Sequence, residues 1–189
     1  TRPKANPEEI AIETMNFILG GTFTSRINMN LREDKHWSYG VRSMLVDARG
    51  QRPFLCVAPV QGDKTRDAMQ ELDKEFRDIL GGKPPSDDEL KKAVKDKTLR
   101  LAGSWETMGA VAGSLAQIVR FGLPDDYFQT YAGRIIALSQ PDLAKAATTV
   151  VRPDSLTWVV VGDRAKIEAG IKELGWGDVK YLDPDGNPK

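Results

Sequence analysis

The stretch Leu19-Gly20-Gly21-Thr22-Phe23-Thr24-Ser25-Arg26, followed by Asn30-Leu31-Arg32-Glu33 and Ser38-Tyr39-Gly40, organises the reading of this 189-residue chain. Just upstream, Asn6-Pro7-Glu8-Glu9 is a helix start, with Asn as N-cap, Pro at the first helical position and acids in the first turn. Ile10, Ala11, Met15, Ile18 and Leu19 then recur at helical spacing, and Gly20-Gly21 is expected to end that helix as a C-cap. A shorter helix is predicted over 25–34, carrying Ile27 and Leu31 inward. Beyond it, 37–47 and 53–60 read as the two strands of an antiparallel hairpin that turns at Arg49-Gly50.

Further along, an amphipathic helix is predicted over 63–80, with Met69, Leu72, Phe76 and Ile79 on one stripe. The run 81–85 breaks it, and Ser86-Asp87-Asp88-Glu89 caps a helix that carries Leu90, Val94 and Leu101. Helices over 106–121, 124–138 and 141–150 follow. Ser155 to Val161, with its run Leu-Thr-Trp-Val-Val-Val, reads as a buried strand. A helix over 164–174 and a short strand over 179–182 then lead into a turn-rich tail. Four strands and about seven helices, hairpin first, describe an α+β fold in one domain over 1–189: an antiparallel or mixed sheet flanked by helices.

Composition removes several function classes. Hydrophobic residues make up 40% and charged residues 29%, the balance of a globular protein rather than a disordered one. No apolar run approaches the ~20 residues of a membrane span. Twenty-seven Lys and Arg offset 27 Asp and Glu, so the basic excess of a nucleic-acid binder is missing. Cys56 is the only cysteine, which excludes an internal disulfide and reads most simply as a small core residue. His36 is the only histidine, so neither an H-E-x-x-H helix nor its inverted form can be built, and no metal ligand is assigned in this chain. Ser38 lies two residues from His36 in a predicted strand, where the two side chains do not face each other simply. Gly81-Gly82-Lys83-Pro84-Pro85 lacks the spacing of a phosphate-binding loop. The polar start 1–6 shows neither a signal peptide nor an initiator Met and reads as part of something longer.

The quoted stretch resembles the C-terminal, non-zinc half-domain of the M16 metallopeptidases, the pitrilysin/insulinase and mitochondrial-processing-peptidase-like family. Its pattern runs L-G-G-x-F-x-S-R-L, then L-R-E, then a Tyr-Gly pair. The likeness spans about 6–186, and Leu31-Arg32-Glu33-Asp34-Lys35-His36-Trp37-Ser38-Tyr39-Gly40 is most similar to bacterial members with two halves fused in one chain. The resemblance implies the LuxS/MPP-like metallohydrolase half-domain fold, here starting almost on the first helix and so lacking the strand that normally precedes it. An exposed sheet edge would then invite pairing, a homodimer included.

The resemblance further implies paired half-domains enclosing a peptide chamber. The zinc, its ligands and the general base belong to a partner N-terminal domain, in the same parent chain or another subunit. This half contributes an Arg and a Tyr, and Arg32 and Tyr39 stand at the family's spacing, seven residues apart. A guanidinium offers a rigid fork of donors to peptide carbonyls, and a phenol donates to a developing oxyanion. The plainer reading makes Arg32 a helix-end ion pair and Tyr39 a core ring. Gly20 and Gly21 are candidate substrate contacts beside their capping role, and His36 and Trp37 are candidate subsite residues or a turn and a strand aromatic. Arg26 is expected to serve packing or an ion pair, with Glu33 as one acid in reach. The implied function is the substrate-binding, transition-state-stabilising domain of a zinc endopeptidase acting on unfolded peptides, inactive alone. The alternative is a structural subunit of the same fold, as in the core proteins of the respiratory bc1 complex. Bacterial relatives of this type point to a periplasmic or exported protein, with the cytoplasm left open.

Overall fold

Apolar residues at helical spacing pull the first helix inward. In the computed structural model, which describes residues 1–188, α1 (Glu9–Asn16) buries Ile10, Ala11, Ile12 and Met15. Asn6 shapes its entry, the side-chain oxygen accepting from the Glu8 N–H at 3.0 Å. The helix continues without a break into a wider π-type turn over Phe17–Gly21 that buries Ile18 and Leu19. A second short helix, α2 (Arg26–Asn28), widens in the same way over Met29–Asp34 and buries Ile27 and Leu31.

The predicted hairpin forms. Strands β1 (Arg42–Leu45) and β2 (Phe54–Val57) pair antiparallel, with Arg42 opposite Val57 and Leu45 opposite Phe54. Side-chain alternation sends Leu45, Phe54 and Cys56 towards the core and leaves Leu55 and Val57 on the outer face. Burial pushes the Cys56 thiol up to about 12, so it stays a protonated core residue.

Helices supply the rest. α3 (Thr65–Arg77) carries the predicted stripe of Met69, Leu72 and Phe76 into the core, and a turn over Asp78–Gly82 buries Ile79. α4 (Asp87–Leu101) starts on a reciprocal Ser86–Glu89 capping box. α5 (Met108–Phe121), α6 (Tyr127–Ile136), α7 (Gln140–Val150) and α8 (Arg164–Glu173) follow the expected order. α1 lies centrally against α7, α6, α4 and β1. A smaller apolar cluster of Phe121, Leu123 and Tyr127 joins α5 to α6.

Two expected strands are absent from any ladder. Segment 156–161 takes no regular secondary structure; Leu156 and Trp158 rest against the core, but Val159 and Val161 stay exposed. Segment 179–182 makes only a single bridge, Leu182 with Pro188. An apolar β-branched run specifies extended backbone locally, whereas a ladder needs a neighbouring strand. Among the described residues the sheet therefore has two strands, and the architecture is helix-rich α+β.

A buried ionic network anchors this small sheet. The Thr1 ammonium donates to the Arg52 carbonyl at 2.6 Å, Arg52 N–H to Thr1 at 3.2 Å, and Lys4 N–H to Ala48 at 3.0 Å. The Arg52 side chain, fully shielded from solvent, pairs with Glu9 of α1 and Asp47 of the hairpin and donates to the Arg2 carbonyl at 3.0 Å. Lys4 adds contacts to Glu9 and Asp47, each at 3.2 Å, and an ion pair with Glu13. Burial opposes the charge on Lys4, yet these carboxylates raise its pKa above the ordinary value. Arg52→Met breaks a buried pair and leaves the Glu9 carboxylate only Lys4 and Asn6 as partners, so urea unfolding is expected to show a loss of about 3 kcal/mol.

Candidate functional site

Sequence neighbours place Arg32 and Tyr39 on opposite sides of a chain reversal, and the structure brings them together. Arg32 lies in the wide turn after α2, two residues before its end. Lys35 N–H donates to the Asn30 carbonyl and Trp37 N–H to the Leu31 carbonyl, both at 3.0 Å, closing that helix. His36 then takes a left-handed backbone, φ 58°, and the chain folds back. Ser38 bridges Val60, its hydroxyl donating to the Pro59 carbonyl at 2.6 Å and accepting from the Gly40 N–H at 3.1 Å. This fixes 38–40 along the hairpin and leaves the Tyr39 ring 91% exposed.

The Arg32 guanidinium lies 5.4 Å from the centre of the Tyr39 ring and 4.3 Å from that of Phe23. Its Nη1 is shielded from solvent and stands 3.2 Å from Glu33 Oε1, without hydrogen-bond geometry. Donor capacity therefore remains unspent. Phe23 had appeared in the sequence only as a motif letter. Its contact with Arg32 crosses nine positions and two turns, and spacing alone carries no signal of it.

The remaining candidates divide. Trp37 is half-buried, with the Lys35 and Lys64 ammonium groups 5.5 and 5.8 Å from its ring centre. His36 is exposed on the same reversal, and its Nδ1 lies 3.2 Å from the Arg32 carbonyl. Gly21 is exposed, whereas Gly20 is buried beneath the hairpin. A Cβ on Gly20 would stand 2.3 Å from Ser43 Oγ, 2.4 Å from Ile27 Cδ1 and 2.7 Å from Ser43 N. Close packing, not a left-handed cap, is what glycine supplies there, because neither Gly20 nor Gly21 has a positive φ. Adding that methyl in Gly20→Ala is expected to cost about 1–3 kcal/mol by urea unfolding, with the midpoint shifted to lower denaturant.

Arg26 finds its acid 63 positions away rather than at Glu33. It donates to both Glu89 oxygens, at 2.7 and 2.6 Å, and to the Pro84 carbonyl at 3.1 Å. This braces the site helix against the start of α4. Burial tends to raise the Glu89 carboxyl, but hydrogen bonds from Arg26 and Ser86 hold it below its ordinary 4.5. A depressed folded pKa means the stabilisation is full above about pH 4.5 and fades as pH falls through the folded value. Glu89→Gln should lower the urea midpoint at pH 7, and the gap from wild type should close on acidification below pH 4.5.

Among the described residues no group of three or more His, Cys, Asp or Glu side chains could hold a metal ion. The side chains present do not fit a resident zinc. No helix among them is long and apolar enough to cross a membrane.

With this geometry in hand, the comparisons with known proteins fall into place. The family described as the peptidase M16 inactive domain matches residues 1–96, the half that carries Arg32, Tyr39 and Phe23. The chain belongs to that family. A peptidase M16 inactive domain from Pseudomonas fluorescens superposes with a TM-score of 0.72 at 23% identity, covering 80% of this chain and 36% of that one. A protease from Helicobacter pylori gives 0.72 at 17% identity, covering 81% of this chain and 36% of that one. The periplasmic protease PqqL from Escherichia coli gives 0.63 at 14% identity, covering 75% of this chain and 15% of its own. These likenesses establish the M16 inactive-domain fold, and the chain spans about a third of the first two relatives' lengths. No curated protein matches.

Proposed function

We propose that this chain is the substrate-binding and transition-state-stabilising domain of a zinc-dependent endopeptidase that acts on unfolded peptides, and that it is inactive alone. The observation that carries this reading is the Arg32 guanidinium set against the exposed rings of Phe23 and Tyr39, with a donor at Nη1 that makes no hydrogen bond. Arg32 pairs with Glu33 through Nη1 alone, at 3.2 Å, so the rest of its planar fork is left to grip peptide carbonyls. The neighbouring Tyr39 phenol, exposed and mobile only about its own short side chain, donates to the oxygen on which charge develops. His36 and Trp37 belong to the same reversal and line the path of the bound peptide, with the exposed Gly21 a further contact beside Asn16.

Zinc, its ligands and the water-activating base are assigned to a catalytic M16 domain, in the same parent chain or in a partner subunit. Membership of a family described as an inactive domain supports this division of labour. The periplasmic description of the Escherichia coli relative supports an exported location.

The test is cleavage of a quenched fluorescent peptide library by the parent protein, wild type against Tyr39→Phe, with and without a zinc chelator. Chelator-sensitive cleavage that falls tenfold or more in the variant is expected, a loss of at least about 1.4 kcal/mol of transition-state stabilisation. Equal rates remove Tyr39 from the chemistry. Absence of cleavage in both turns the assignment to a structural subunit of the same fold.

A further inference from the structure

We infer that Phe23 is a positioning residue for Arg32: it and Tyr39 form a two-sided aromatic clamp, locked from beneath by Asn28. The inference rests on the peptidase reading only for what the held guanidinium then binds.

Phe23 is 60% exposed, in a tight turn between two helical segments, where an apolar ring gains little from folding. Yet its face meets the guanidinium at 4.3 Å, a closer approach than that of Tyr39. A ring face attracts a cation through its quadrupole and leaves the in-plane N–H donors free. The ion pair to Glu33, at 3.2 Å and without hydrogen-bond geometry, engages only Nη1 and does not set the plane of the fork. Stacking therefore fixes the plane of the fork while keeping it available for a planar acceptor such as a peptide carbonyl.

The clamp needs its two jaws at a set separation, and one buried side chain supplies that. Asn28, only 3% exposed, donates from Nδ2 to the Phe23 carbonyl at 2.6 Å and accepts at Oδ1 from the Val41 N–H at 2.8 Å. The first bond holds the segment carrying Phe23, and the second holds the segment two residues beyond Tyr39. Asn28 lies one helical turn before Arg32 on the same element, so jaws and gripped residue share one fixed frame. Ser25, also buried, pins the near end, its hydroxyl donating to the Thr22 carbonyl at 2.6 Å.

Two readouts test the clamp. On this chain, the Arg32 Nε–H proton resonance should lie upfield of free arginine in the wild type, shielded by the ring beneath it. Phe23→Leu should return it towards the free position, while Phe23→Tyr keeps the shift. In the parent protein, Phe23→Leu should lower kcat/KM for peptide cleavage about tenfold, and Phe23→Tyr should restore it to within about threefold of wild type. Thermal unfolding should stay within a few degrees across the three, because an exposed Phe contributes little packing. A wild-type Arg32 resonance at the free position overturns the clamp, as does full cleavage by Phe23→Leu in an active parent. Should the wild-type parent cleave no peptide, the peptidase reading falls, and the Arg32 resonance alone decides the clamp.

Discussion

Arg52 is the residue on which the frame depends. A two-stranded hairpin is too small to hold itself in place, since an isolated pair of strands is marginal in water. Here the turn end of the hairpin is fastened by a guanidinium without solvent contact, shared between Glu9 at the head of the central helix and Asp47 on the hairpin itself. Lys4 closes the same circuit, so the first residues, the first helix and the hairpin are tied to one another. Such a network is costly to bury and contributes mainly by what happens when one member is missing. Its value lies in orientation: it sets the tilt of β1, and β1 leads directly back to the reversal that carries Tyr39.

The site then inherits its geometry from short-range hydrogen bonds. Gly20 lets the hairpin sink onto the first helical turn, with Ser43 donating to Asn16 Oδ1 at 2.6 Å. Asn28 couples the Phe23 loop to Val41, and Arg26 braces the same helix against Glu89. A guanidinium on such a frame loses less conformational freedom on gripping a ligand than one on a free helix end. Rigidity here comes from below the surface, while the Arg32 side chain stays partly open to solvent.

Much of this was legible in the residues, for reasons that differ from part to part. Helix positions were readable because the stripes of Met69, Leu72 and Phe76, or the Ser86–Glu89 box, are local patterns that the structure has only to honour. The hairpin was readable for the same reason, its alternation flanking a turn. The Arg32–Tyr39 proximity followed from a motif. Segment 156–161 was misjudged because apolar alternation specifies backbone shape but not a partner strand. Gly20-Gly21 looked like a cap because a glycine pair after a helix usually is one, whereas here Ser43, 23 positions on, dictates the glycine. The partners of Arg26 and the stacking of Phe23 on Arg32 depend on tertiary approach, and no local pattern encodes them.

Folding energy alone does not account for the surface at this reversal. Tyr39 at 91% and Phe23 at 60% exposure leave most of their apolar area in water, so their burial stabilises the chain by little. His36 holds a left-handed backbone that a β-unbranched but bulky side chain adopts only at some strain. A cation–π contact at an exposed position returns about 0.5–1 kcal/mol, comparable with the entropy of ordering one long side chain. The arrangement is therefore close to neutral for stability. What distinguishes it is the oriented, unspent guanidinium set against two rings, an arrangement whose return comes only when something planar and polar is brought against it.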